Sequence, residues 1–179
     1  QQIKALPQLQ PARSLRDSGI AAVMLMDAQI DHTTGLLMLR EHKGRLPLWC
    51  HPLVKEDLTT GNPLFNVLEY YCGVDLHPLL LDSTFSIPKL SHLKFEAIPL
   101  ISNAPPYSPH RDQPQPGDNV GLTVADEATG KTLFYAPGLG QMESHVWSAM
   151  QKADCVLVDG TLWTDTEMID LGASKKTSR

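Results

Sequence analysis

The amino-acid sequence predicts a layered α/β protein that becomes α+β in its second half. Near the start, a continuous apolar run at residues 20–26 is followed by a polar turn, a helical candidate and a second short apolar run, a strand–loop–helix–strand unit of the βαβ kind. From residue 76 onward the pattern changes to short, partly alternating segments divided by turn-formers, as in consecutive strands of a mostly antiparallel sheet. At 179 residues the chain fits a single domain over 1–179, since domains of about 100–200 residues bury enough surface to fold on their own.

In order along the chain, residues 11–17 are a short helical candidate, with Pro11 tolerated in its first turn and Gly19 as its stop. The run Ile20-Ala21-Ala22-Val23-Met24-Leu25-Met26 predicts a strand buried on both faces and ending at Asp27. Residues 35–41 predict a helix beginning beneath the polar turn 27–34, and Leu46-Pro47-Leu48-Trp49-Cys50 the next strand. Residues 52–72 read as helix interrupted at 59–63, with Leu64, Phe65, Val67, Leu68 and Tyr71 spaced as a core stripe. Strands follow at 79–81, 84–87, 93–100, 120–125 and 131–136, with Glu127-Ala128-Thr129-Gly130 as a hairpin connection in which Gly130 supplies a positive φ. Residues 142–152 predict a helix, and 153–160 one more buried strand that ends in the carboxylate of Asp159. The Pro-rich stretch 104–118 is the longest irregular piece; loops beyond about 12–15 residues in a compact domain are more often functional than accidental.

Hydrophobic residues make up 42% and charged residues 20%, the ordinary globular mixture, which argues against disorder and fibrous repeats. The net charge is −5, and the basic residues are scattered apart from Lys175, Lys176 and Arg179, so no electrostatic footprint for nucleic acid exists. No apolar stretch approaches the ~20 residues that span a bilayer, and the polar start lacks the architecture of a signal peptide; no membrane insertion is expected. Cys50, Cys72 and Cys155 read as buried or inert thiols of a reducing cytosol rather than a disulfide framework, so the expected location is cytoplasmic. The chain begins without Met and stops in a polar stretch, so both ends read as cut.

Chemistry concentrates in Asp27-Ala28-Gln29-Ile30-Asp31-His32-Thr33-Thr34-Gly35, at the C-terminal end of a predicted strand, a frequent site geometry in open α/β sheets. In an extended turn alternate residues face the same way, so Asp27, Gln29 and Asp31 converge with His32 beside them. Asp and His suit iron, manganese or zinc. Alternatively, Asp31 or Thr33 caps the following helix and His32 is a surface residue. His110, beside Arg111 in the Pro-rich loop, is a candidate ligand or substrate contact, or else a solvated loop residue. Asp159, near Thr161, either supports a metal ligand from behind or accepts backbone N–H bonds in a turn. His42, His51, His77, His92 and His145 fall in no ligand-like spacing.

The turn resembles the signature of the metallo-β-lactamase superfamily, His-x-His-x-Asp-His, with Asp27 and Gln29 in place of the leading histidines and Asp31 and His32 kept. The form Asp-x-Gln-x-Asp-His-Thr-Thr-Gly-Leu is similar to that of the PqqB family. So are Asp57-Leu58-Thr59-Thr60-Gly61-Asn62-Pro63-Leu64-Phe65-Asn66, Pro105-Pro106-Tyr107-Ser108-Pro109-His110-Arg111, Pro116-Gly117-Asp118-Asn119-Val120-Gly121-Leu122, Phe134-Tyr135-Ala136-Pro137-Gly138-Leu139-Gly140 and Val158-Asp159-Gly160-Thr161-Leu162-Trp163. The resemblance runs nearly end to end. It implies an αβ/βα sandwich of which this chain is an incomplete central part, lacking an N-terminal segment with a cysteine cluster for a structural zinc and a C-terminal segment with a further histidine. His110 corresponds to the superfamily's third histidine. Dinuclear hydrolases of the superfamily fill one site with the leading histidines and bridge both metals through an aspartate in a Gly-Asp turn. Asp27 and Gln29 weaken that first site, and Ala136-Pro137-Gly138 stands where the Gly-Asp turn is expected, so two-metal hydrolysis is disfavoured.

The resemblance further implies a role in biosynthesis of the cofactor pyrroloquinoline quinone (PQQ). Asp31 and His32, with His110 as a further candidate and a histidine from the C-terminal segment, would build the two-His, one-carboxylate face of a non-haem iron centre. Its expected reaction is hydroxylation of the tyrosine ring of a Glu–Tyr-derived precursor, with Fe2+ as the metal and zinc as the other candidate. Asp27, Gln29, Arg111 and Asp159 are then substrate-binding or ligand-supporting residues. A non-catalytic carrier moving PQQ or its precursor towards the periplasm is the alternative, and a zinc hydrolase the third reading. The expected partner is a small molecule, a homo-oligomer is left open, and this segment alone is expected to be inactive with one side of its core exposed.

Overall fold

The structure, a computed structural model, describes residues 2–10, 19–160, 164 and 166–170. The helix expected at 11–17 lies outside the described residues, as do Thr161 and the terminal basic run. Helix α1 (Gln2–Ala5) and a 3-10 turn (Pro7–Leu9) open the chain. Strands β1 (Val23–Leu25), β2 (Leu46–Cys50) and β3 (Val74–Pro78) form a parallel sheet in that order, with Leu25 opposite Cys50 and Leu48 opposite Leu76. Helix α2 (Ile30–Thr33) and a 3-10 helix (Thr34–Leu39) link β1 to β2. Helices α3 (Pro52–Asp57) and α4 (Leu64–Glu69) link β2 to β3, broken between them as the sequence predicts.

The second sheet runs β4 (Thr84–Phe85), β5 (Leu93–Pro99), β6 (Val120–Asp126), β7 (Lys131–Ala136), β8 (Cys155–Val158). It is antiparallel through β7, and β8 joins parallel to β7 after crossing over through α5 (Ser144–Lys152). The hairpin between β6 and β7 turns at residues 127–130, with Gly130 at φ +68°. Helix α6 (Glu167–Asp170) is the last described element.

Alternation along the strands sorts the core into layers, because successive side chains of a strand point to opposite faces. Leu25, Leu46, Leu48 and Cys50 face Val54, Leu58, Phe65 and Leu68 of the α3–α4 region. From the other face of the same sheet, Met24 and Trp49 pack against Phe95, Ala97, Leu122 and Val124 of the second sheet. On the far side of the second sheet, Leu100, Phe134, Ala136 and Val156 meet Val146, Ala149 and Met150 of α5. Helix layer, sheet, sheet and helix layer therefore follow one another, the αβ/βα sandwich.

Several elements differ from the sequence expectation. The first strand is three residues long rather than seven, and Val23 and Met24 are only half-buried in a strand that lies at the edge of its sheet among the described residues. The expected helix at 35–41 starts earlier, at Ile30, and tightens into 3-10 geometry at Thr34. The segment expected as a strand at 79–81 follows β3, which belongs to the parallel sheet; Leu81 retains a single bridge to Ala97. Strand β8 is not buried: Leu157 and Val158 are exposed, and β7 is its one neighbour among the described strands. Cys155 on it is likewise exposed, against the reading of three buried or inert thiols, whereas Cys50 is buried. No helix among the described residues is long and apolar enough to cross a membrane.

Phe134, fully buried between the second sheet and α5, is a test of this layering. We expect Phe134→Ala in the full-length protein to cost about 3–5 kcal/mol in urea unfolding, the usual range for such a cavity; a loss near zero would contradict the packing.

Candidate metal centre

The centre forms where β1 ends. Just past β1, Met26 O accepts from Val120 N–H at 2.8 Å, and Asp27 makes an antiparallel bridge with Asn119. The end of the parallel sheet is thereby stitched to the start of β6 in the second sheet. Gln29 is extended, and the chain then turns helical, with His32 N–H and Thr33 N–H both donating to Gln29 O. This turn swings His32 back over Asp27.

The His32 imidazole Nδ1 lies 2.9 Å from each carboxylate oxygen of Asp27, and Asp27 Oδ1 also accepts from Gln29 N–H at 2.9 Å. Asp27 is 2% exposed, so these donors offset what would otherwise be a costly buried charge. Burial opposes a positive charge on His32, but the hydrogen bond and charge of Asp27, with Asp31 and Asp159 adding to them, outweigh it and raise the imidazole above its ordinary value. Asp31 does not converge with Asp27 and Gln29 as an extended turn would require. Its side chain is 78% exposed, with Oδ2 3.9 Å from His32 Nε2. Gln29 turns away to donate to Asn103 O at 3.3 Å. Thr33 stands at the cap position of the 3-10 helix but makes no side-chain cap bond, donating its hydroxyl instead to Gln29 O, and Gln29 holds the cap position of α2, also without a side-chain bond.

The wall around this turn comes from three other segments. Tyr107 of the Pro-rich loop donates its hydroxyl to Ala28 O, and burial pushes its pKa up. The Ala136-Pro137-Gly138 turn packs close, since a Cβ on Gly138 would stand 2.9 Å from Asn119 Oδ1 and 3.5 Å from Asp27 Oδ2. Asp159, exposed beyond β8, donates its N–H to Ala136 O and lies near enough for its charge to act on His32 and Tyr135. His32 lines a cleft of about 640 Å³ together with Met24, Leu36, Leu39 and Ile87 among others, and a separate cleft of about 540 Å³ is lined by Ser102, Asn103, Gln115 and Gln141 among others.

His110 is not part of this group; it belongs to a second one. Its Nδ1 lies 3.0 Å from Asp118 Oδ1, while Asp118 Oδ2 accepts from Gln115 N–H at 2.6 Å, closing the Pro-rich loop upon itself. Asp118 and Asp57 are each 1% exposed. Burial raises the Asp57 carboxyl above its usual range even though the Ser108 hydroxyl bonds to it. His51 accepts from Leu53 N–H as the cap of α3, its ring lies against Gly117, and burial lowers its pKa. Arg111 donates to Ala104 O at 2.6 Å within the same loop. Spacing alone gives His51, Asp57 and Asp118 no role; the signals that the sequence does carry are a His-Pro pair at a helix start and an aspartate on the apolar face of a short helix.

Among the described residues, no three His, Cys, Asp or Glu side chains gather to hold a metal ion. What the turn does offer is a pair of donors. Ligand bonds of about 2.0–2.2 Å from His nitrogen and Asp oxygen reach one ion across the 3.9 Å between Asp31 Oδ2 and His32 Nε2. The exposed Asp31 side chain would turn towards His32 to bring the two to the narrower angle of neighbouring ligands.

The Asp118 hydrogen bond, with charge from Asp118, Asp57 and Glu56, raises His110 above the ordinary 6.5, against a smaller loss from burial. A folded-state value above the unfolded one means that the folded chain holds more protons between the two, so this contribution to stability is full below pH 6.5 and fades as pH rises through the folded value. In urea unfolding of the full-length protein, the advantage of wild type over His110→Asn should therefore shrink as pH is raised; an advantage that grows would contradict the pair.

The family described as Beta-lactamase superfamily domain matches residues 1–177. The chain is 65% identical over 179 residues to Coenzyme PQQ synthesis protein B of Azoarcus sp. (strain BH72), covering 100% of this chain and 59% of the relative. To the protein of the same name in Methylobacillus flagellatus (strain ATCC 51484 / DSM 6875 / VKM B-1610 / KT) it is 53% identical over 181 residues, with the same two coverages, 100% and 59%. It thus spans about three fifths of the length of these curated relatives. Among solved structures, Zn2+-bound PqqB from Methylobacterium extorquens superposes with a TM-score of 0.81 at 28% identity, over 97% of this chain and 57% of that one. The metallo-β-lactamase-fold protein YhfI of Bacillus subtilis shares the fold at 14% identity and a TM-score of 0.55, over 85% of this chain and 55% of that one.

Proposed function

This chain belongs to the β-lactamase superfamily domain family, and from that premise we propose that its protein acts in pyrroloquinoline quinone biosynthesis as a mononuclear iron-dependent oxygenase. The substrate is a Glu–Tyr-derived precursor whose tyrosine ring is hydroxylated. The names of the relatives, Coenzyme PQQ synthesis protein B, support the pathway.

The observation that carries the chemistry is the pair Asp31 Oδ2 and His32 Nε2, 3.9 Å apart at the open end of β1. With one further histidine from the rest of the protein, the pair makes the two-His, one-carboxylate face of non-haem iron oxygenases. The Gly138 turn supports one metal rather than two. Where a dinuclear hydrolase needs a bridging carboxylate, this chain has no side chain, and the Cβ of one would crowd Asn119. The Zn2+ of the M. extorquens relative fits the same metal-binding reading without choosing the working metal.

Bound iron supplies the redox centre at which dioxygen reacts. Asp31 and His32 would hold it at the surface end of the turn, where the Asp31 side chain is exposed. Tyr107, tied to Ala28 O, and the adjoining Pro-rich loop form a wall beside the turn that limits water on that side. The ring C–H becomes C–OH, one oxygen atom of dioxygen enters the product, and the other leaves as water with two electrons from an external reductant and two protons from solvent.

The test uses the full-length protein purified without oxygen. We expect one iron per chain, oxygen-dependent hydroxylation of the dipeptide-derived precursor, and loss of both in His32→Ala. Two metal ions in this site, beyond the structural zinc that the resemblance implies, or undiminished turnover in His32→Ala, would overturn the proposal.

A further inference from the structure

We infer that Asp27 is a positioning residue for the metal centre and not one of its ligands: it holds the proton of His32 on Nδ1 and thereby presents Nε2 as the donor beside Asp31. The inference rests on the proposed metal site and assigns a role within it.

Geometry separates the two carboxylates. Both oxygens of Asp27 lie 2.9 Å from Nδ1, and one of them also takes the Gln29 N–H, so the carboxylate is committed to donors already in place. Its side chain is 1% exposed and its backbone is fixed by the bridge to Asn119. Asp31 lies off the opposite edge of the ring, nearest Nε2 and open to solvent. An ion bound at Nε2 is on the side of the imidazole away from Asp27, which therefore reaches the ion only through the ring. Neutral imidazole carries one proton on one of two nitrogens, and a carboxylate acceptor at Nδ1 selects the tautomer whose Nε2 lone pair is free. Carboxylates that accept from the second nitrogen of a ligating histidine typically contribute 10- to 100-fold in metal affinity, roughly. The residue that replaces a superfamily ligand here thus has a different task from ligation. Asp118 makes the same kind of bond to His110 Nδ1 in the loop group.

Two measurements on the full-length, metal-free protein test this. The first is Zn2+ affinity and stoichiometry by chelator competition for wild type, Asp27→Asn, Asp31→Ala and His32→Ala. We expect Asp27→Asn to weaken the His32-dependent site by about 10- to 100-fold with stoichiometry unchanged. An unchanged affinity, or loss of a whole equivalent of metal, would overturn the inference. The second is ring-nitrogen NMR of 15N-histidine-labelled wild type at a pH where His32 is neutral, which does not depend on any variant folding. A proton on Nδ1 supports the assignment, and a proton on Nε2 refutes it. If His32→Ala and Asp31→Ala both keep full Zn2+ affinity, the site itself is wrong and the inference falls with it. If they lose the metal while Asp27→Asn does not, the inference alone fails.

Discussion

The site depends on the junction where Met26 and Asp27 meet Asn119 and Val120. The two sheets meet largely through side chains of the central core; at this point backbone hydrogen bonds join the end of β1 to the start of β6. Hydrogen bonds are directional while apolar packing is not, so this short ladder fixes how the end of β1 stands over β6. Asp118 and Asn119 are consecutive, which means that the same few residues place both the metal-centre turn and the end of the Pro-rich loop. A shift at the junction would move both walls of the site together.

That junction also explains why a carboxylate is tolerated at 2% exposure. A buried carboxylate survives where donors surround it, and Asp27 receives one from Gln29 N–H and one from the imidazole. The two carboxylate–histidine pairs share this logic and differ in position. Asp118–His110 closes a loop on itself, whereas Asp27–His32 sits at the mouth of a turn with an exposed second carboxylate alongside.

Much of the layering was legible because it is written in periodicity. Phe95 and Ala97 face one layer while Ile98 and Leu100 serve the other, and the breaks at Gly61-Asn62-Pro63 and at Gly130 are local chemistry. The membership of β3 was not legible, since Val74–Pro78 carries no mark telling a parallel partner from an antiparallel one. The turn 27–32 was misjudged for a definite reason: an extended reading brings residues two apart to one side, while one helical turn brings His32 onto Asp27, five residues back. Asp31 and His32 are neighbours in any fold; the contact of His32 with Asp27 is what the sequence leaves hidden. His51, Asp57 and Asp118 come together over some sixty residues of intervening chain, a contact that no local pattern encodes.

The exposed outer side of β8 has a consequence for handling the chain. A strand with an unpaired row of N–H and C=O groups is a template on which another strand can add, and charge or proline is the common guard against it. Cys155-Val156-Leu157-Val158 carries neither, and Leu157 and Val158 are exposed. Among the described strands β7 is the one neighbour of β8, so its other edge would accept a further strand, and a lysine in place of Leu157 would guard it.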